Sequence, residues 1–231
     1  MTDCLDREAR VAEDAFFWKL WGDCWPNLPG LLGANCLFLL WCTPSLVANF
    51  LSLDRVAVAL ALFSVGPALL GLFTYAANLA LGRRASAWRD SLWGFRWGFG
   101  AGVVSGGVAM AALAANRLAL TQAVAAGLPA GAVALCAGQL GILIVLTLTG
   151  AHTLSLIALY QQRVKEAFRN AVLLTIAHPA PTLGLVGAGV LAVLVTRALG
   201  WGPLVILPAL LAVLTVNTTL MLVRQHHHDT R

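Results

Sequence analysis

Two stretches of this chain, Val56 to Leu81 and Ala130 to Tyr160, contain no Asp, Glu, Lys or Arg. A helix needs about 20 residues, at 1.5 Å each, to cross a hydrocarbon core of about 30 Å. Both runs exceed that length. Lipid offers no hydrogen bonds, so backbone N–H and C=O groups must be paired within the segment, and a helix does this. The rest of the chain agrees: 11% of its 231 residues are charged and 59% are apolar, against roughly 25% charged in a soluble domain. The expected class is all-α, a polytopic membrane helical bundle.

Six spans are predicted, over Gly30–Leu53, Val56–Leu81, Trp97–Ala115, Ala130–Tyr160, Thr182–Leu199 and Pro203–Val223. The chain divides accordingly into an N-terminal segment (1–27), a six-span membrane domain (28–223) and a short tail (224–231). In residues 10–27, Phe16, Phe17, Leu20, Trp21, Cys24 and Trp25 recur at helical spacing, as in an amphipathic helix lying in the membrane interface. The first residues are acidic and polar. They lack the basic start and short apolar core of a signal peptide, so the first span is expected to act as its own insertion signal.

Charge orients the bundle. Twelve of the fifteen Lys and Arg residues fall on one side: three in the N-terminal segment, Arg83, Arg84, Arg89 and Arg96 in one loop, Arg163, Lys165 and Arg169 in another, and Arg224 and Arg231 in the tail. Arg55, Arg117 and Arg197 fall on the other. Cytoplasmic loops carry the excess of basic residues, so both termini are expected inside. In the first basic loop Trp88, Leu92, Phe95 and Phe99 share a helical stripe, and Asp90 joins the charged residues. A short amphipathic helix on the membrane surface is expected there. The second loop repeats the pattern with Val164, Phe168, Ala171 and Thr175, and the two loops give the chain a faint internal repeat.

Several residues interrupt the apolar runs. Pro44, Gly66-Pro67 and Pro179 are predicted helix kinks. A proline inside a helix frees a carbonyl that must find another partner, so the Gly66-Pro67 kink should face protein or a wet cavity. Gly98, Gly102 and Gly106 recur every four residues, a spacing that lets helix backbones approach closely. Asn35, Asn49, Asn78, Gln139, His152 and Asn217 are the candidate lining of a small polar cleft near the kinks. Each reads first as a hydrogen-bond clamp between helices.

Motifs for soluble chemistry are missing from the sequence. It has no phosphate-binding loop, nucleophile elbow or HExxH, and none of its five cysteines forms a CxxC pair. No cofactor or metal is expected. The run His226-His227-His228 lacks the fixed geometry of a metal site. The spans contain no Asp or Glu, which argues against a carrier that couples protons or sodium through a membrane carboxylate.

The stretches Asn35-Cys-Leu-Phe-Leu-Leu-Trp-Cys-Thr-Pro44, Gly66-Pro67-Ala68 with Leu72, and Asp90 to Phe99 together resemble the YesL family of bacterial integral membrane proteins. Tyr160, the basic run Arg163 to Arg169, Asn170-Ala-Val-Leu-Leu and His178-Pro179 extend the likeness over most of residues 16–223. Ser91 stands where the family often has Phe, and the interval between Pro44 and Gly66 is longer than its usual one. The resemblance implies a six-span accessory protein of the bacterial cytoplasmic membrane, associated with binding-cassette carbohydrate importers, with no catalytic residue to carry over. Expected partners are the lipid bilayer, importer subunits and a second copy of the chain, but not nucleic acid. The alternative readings are a stand-alone transporter or channel with a cleft at the Pro44 and Pro67 kinks, and a membrane enzyme using His178 and the cytoplasmic arginines.

Overall fold

The structure is a computed structural model that describes residues 21–22, 24–107, 121–122, 125, 130–200 and 202–229. The described residues are helical with short connections. In chain order they form α1 (Leu28–Phe50), α2 (Asp54–Ala80), α3 (Ala87–Trp97), α4 over residues 99–107, α5 (Ala130–Tyr160), α6 (Val164–Ala177), α7 (Pro179–Leu199), a 3-10 turn (Gly202–Val205) and α8 (Leu207–Asp229). Five segments are long and apolar enough to cross a membrane: Leu28–Phe50, Val56–Ala80, Gly141–Tyr160, Pro179–Leu199 and Leu207–Gln225. The chain is a multi-pass helical membrane protein. The expected third span, Trp97–Ala115, covers the last residue of α3 and all of α4, and its residues 108–115 lie outside the described residues. Most of the expected N-terminal amphipathic helix and the side chains of His226–His228 lie outside them too.

The helix ends follow local chemistry. At the end of α1, Leu53 N–H donates to the Ala48 carbonyl at 2.9 Å and Ser52 N–H to the Asn49 carbonyl at 3.0 Å. At the end of α2, Arg83 N–H donates to Asn78 and Gly82 N–H to Leu79 in the same arrangement. These are paired terminal bonds of the Schellman type, which need a left-handed residue just past the helix. Gly82 (φ 65°) supplies one without strain, and Ser52 (φ 59°) supplies the other despite its Cβ. Both turns are tight, so α1, α2 and α3 fold back on one another.

The core draws on Leu31 and Ala34 of α1, Leu70, Leu72, Phe73, Tyr75 and Ala76 of α2, Leu154, Leu156 and Ile157 of α5, and Ala209, Ala212, Val213 and Val216 of α8. In α2 the buried positions cluster from Gly66 to Ala80, while most of residues 56–65 are exposed or half-buried. Outward-facing Leu40, Leu46, Phe50, Phe63, Leu183, Leu191 and Leu194 form the apolar surface a bilayer covers.

The first basic segment forms a short helix, α3, that packs along the bundle. Gly98 N–H still donates to Gly94 and Gly102 N–H to Gly98, so helical bonding continues from α3 into α4. This rod lies antiparallel against α2, with Gly94 on Thr74, Gly98 on Leu70, and Gly102 on Gly66 and Pro67. A Cβ added to Gly71 would lie 2.6 Å from the Ser91 carbonyl oxygen. The α3 helix also touches α1, with Phe95 stacked on Trp41 at 3.9 Å between ring centroids. Its inward face therefore carries Asp90, Ser91 and Gly94, all buried, while Trp88, Trp93 and Trp97 point outward. The reason is steric: only small side chains fit where two backbones meet, and lipid welcomes indoles on the outside. Asp90, read from sequence with the exposed charges, is buried and accepts a hydrogen bond from Ser86 N–H at 2.8 Å.

In the second half the long helix α5 is followed by the short helix α6 and, after a break at His178, by α7. Here the inward face of α6 is Ala167, Ala171 and Leu174. Phe168, Leu173 and Ile176 face outward beside Lys165 and Arg169.

Candidate functional site: a polar seam between α5 and α8

The largest concentration of buried polar side chains lies on α5 and α8. Thr149, His152, Thr153 and Ser155 on α5, and Thr215, Asn217, Thr218 and Thr219 on α8, are all buried. In an apolar medium each hydroxyl needs an acceptor, and the nearest one is the carbonyl one turn back. Thr153 donates to Thr149 at 2.7 Å, Ser155 to Ala151 at 2.9 Å, Thr215 to Leu211 at 2.7 Å and Thr218 to Leu214 at 2.9 Å. Asn217 Nδ2 donates to the Val213 carbonyl at 3.0 Å. Most of the seam is thus bonded within its own helices.

One bond crosses it. His152 Nδ1 lies 2.9 Å from Thr219 Oγ1. Thr219 Oγ1 is also 2.8 Å from the Thr215 carbonyl, which can only accept. The single hydroxyl proton goes to that carbonyl, so Thr219 Oγ1 accepts from His152. The imidazole then carries its proton on Nδ1, and Nε2 is a bare acceptor. His152 is 0% exposed, and Nε2 has no hydrogen-bond partner among the described residues.

The other predicted cleft residues are dispersed. Asn35 is fully buried, and its Nδ2 donates to the Leu204 carbonyl at 2.7 Å, tying α1 to the 3-10 turn before α8. Its Oδ1 has no hydrogen-bond partner among the described residues. Leu207 and Thr219 are separated by about 18 Å of helix, so Asn35 and His152 do not share one pocket. Gln139 is half-buried on α5 with Oε1 unpartnered, Asn78 is half-buried at the end of α2, and Asn49 is exposed. His152 and Asn217 both lie on the α5–α8 pair, but Asn217 stands two residues from Thr219, the partner of His152, and so on another face of α8.

The kink residues are also separated. Pro44 lies inside α1 and is exposed. Pro67 lies inside α2, buried against Gly102. Pro179 is the first residue of α7, and His178 before it breaks the path from α6. The His178 carbonyl accepts from Thr182 Oγ1 at 2.7 Å, and its side chain is half-buried. Arg83, Arg84, Arg89, Arg96, Arg163, Lys165 and Arg169 are all exposed. Among the described residues no group of three or more His, Cys, Asp or Glu could hold a metal ion.

Sequence reasoning missed Asp90, Gly94 and Thr219. Gly94 carries a readable signal, because it extends the four-residue glycine spacing by one step. Thr219 carries none, since it stands 67 residues from its partner. Comparison of the chain with family models, with curated proteins and with solved structures gave no match.

Proposed function

We propose that the chain is a six-span protein of the bacterial cytoplasmic membrane with both termini inside, and that it acts as a non-catalytic accessory subunit. Its partner is another membrane complex, of the binding-cassette carbohydrate-importer kind that the resemblance implies. The observation that carries this reading is a contrast between two sets of glycines. Gly94, Gly98 and Gly102 are filled by α2, whereas Gly184, Gly187 and Gly189 on α7 have nothing within 4 Å of an added Cβ. Small residues in a span let another helix come close, and α7 is the least buried of the five candidate spans. It presents a ready surface for a partner's span. The buried hydroxyls of α5 and α8, bonded to their own backbone, support a structural rather than a chemical use of the interior.

Co-purification from native membranes in mild detergent tests the reading. The intact protein is expected to bring down importer subunits, and Gly184→Ile with Gly187→Ile is expected to lose them while eluting as a folded species. Recovery of the protein alone, or only as a self-associated oligomer, would reject the accessory role.

A further inference from the structure

We propose that the outward face of α3 is a binding site for the headgroup of an anionic phospholipid. Arg89, Trp93 and Arg96 stand at i, i+4 and i+7, which places them on one side of the helix. That side is opposite the buried Asp90, Ser91 and Gly94. The two guanidinium groups thus flank an indole.

The arginines are free to take a ligand. The Arg89 side chain is 81% exposed, and its one carboxylate neighbour among the described residues is Asp90, at 3.8 Å. That distance is long for a charge-assisted bond, and the other Asp90 oxygen already accepts from Ser86. Arg96 is exposed and has no ion pair among the described residues. Trp93 and Trp97 stack at 5.2 Å with planes 5° apart, both facing outward.

This combination selects the ligand. Indoles settle at headgroup depth in a bilayer, and guanidinium groups bind phosphate with paired N–H donors. Contacts of Gly94 with Thr74 and of Gly98 with Leu70 set this face level with the last turns of the α2 span, from which arginine side chains snorkel toward the lipid phosphates. Arg83 and Arg84 in the preceding turn are exposed and add positive charge. A zwitterionic headgroup carries its own cation, which this surface repels; an anionic one carries none. A soluble phosphate would gain nothing from the indole pair. The α6 helix, with Arg163, Lys165 and Arg169 but no tryptophan, provides an internal control.

The test uses full-length protein in phosphatidylcholine lipid discs. The discs are doped with acyl-brominated phosphatidylglycerol or, at equal mole fraction, with brominated phosphatidylcholine, and tryptophan quenching is read. The brominated anionic lipid is expected to quench more strongly. R89Q with R96Q is expected to cut that preference about tenfold or more, while R163Q with R169Q keeps it. W93F with W97F should remove the quenched component. In the unaltered protein, molar salt should abolish the preference by screening. Equal quenching by the two lipids, a preference that survives R89Q with R96Q, or one that persists in molar salt overturns the proposal.

Discussion

Gly102 meets Pro67 so closely that a methyl group on its Cα would lie 2.6 Å from the Pro67 Cα. The Gly66-Pro67 step inside α2 and the glycine stripe of the next helix are two sides of one contact. A Cβ on Gly106 would likewise fall 2.9 Å from Gly66 Cα. Gly102→Ala is therefore expected to destabilise the protein by about 1–3 kcal/mol, the usual cost of overpacking. Gly100 has open space around it, and Gly100→Ala should instead stabilise helix α4 by about 0.5–1 kcal/mol. Thermal unfolding of both variants in one detergent checks the opposite signs.

Ser52 sits in the left-handed region at φ 59°, in the position that Gly82 fills at the end of the next helix. A side chain there costs about 1–2 kcal/mol relative to right-handed backbone. Ser52→Gly is expected to raise the melting temperature by about 2–4 °C, and Gly82→Ala to lower it. Differential scanning fluorimetry of the pair reads both shifts.

The bond from His152 to Thr219 predicts a tautomer and a coupling. Nitrogen-15 NMR of labelled histidine should show a protonated Nδ1 and a bare Nε2 for this ring. A double-mutant cycle with His152→Ala and Thr219→Val should give a coupling of about 0.6–1.7 kcal/mol, the range found between membrane helices. A protonated Nε2 would mean that Thr219 donates to the ring instead of to Thr215.

Asp90 holds the first turn of α3 by accepting from Ser86 N–H, and its charge faces the positive end of the helix. Asp90→Ala should cost about 0.5–2 kcal/mol. Hydrogen exchange at the Ser86 amide should speed up more than exchange at Gly102, deep in the contact with α2. Equal acceleration at both amides would show that the substitution loosens the whole rod, not its cap.

The orientation predicted from charge is checked by labelling. In a cysteine-free background, Ser52→Cys should react with an impermeant maleimide added to intact cells. Ser86→Cys should react only after permeabilisation. The reverse pattern would place the Arg83–Arg96 segment outside.

The spans were legible because charge-free runs of that length have one stable form in lipid; Ala130–Tyr160 is helical from end to end, as its sequence reads. The contact at Gly98 and Gly102 was legible from spacing alone. The facing of α3 was not. The sequence reads Trp88, Leu92, Phe95 and Phe99 as one apolar stripe and groups Asp90 with the charged residues, but close backbone contact with α2 selects Ser91 and Gly94 for the interior and takes Asp90 with them. The candidate cleft failed to assemble for a different reason. Amides at similar depth in the sequence pattern lie on different helix faces, and which faces meet depends on how the helices pack.

The junction at His178 has no such contact. Between α6 and α7 the continuity of the helix rests on one hinge residue with extended φ (−128°) and ψ 71°, and α7 beyond it is sparsely covered. A change in the angle between α6 and α7 needs new backbone dihedrals at His178 alone, whereas α2 can leave the α3–α4 rod only by breaking backbone-to-backbone contact at Gly66 and Gly102.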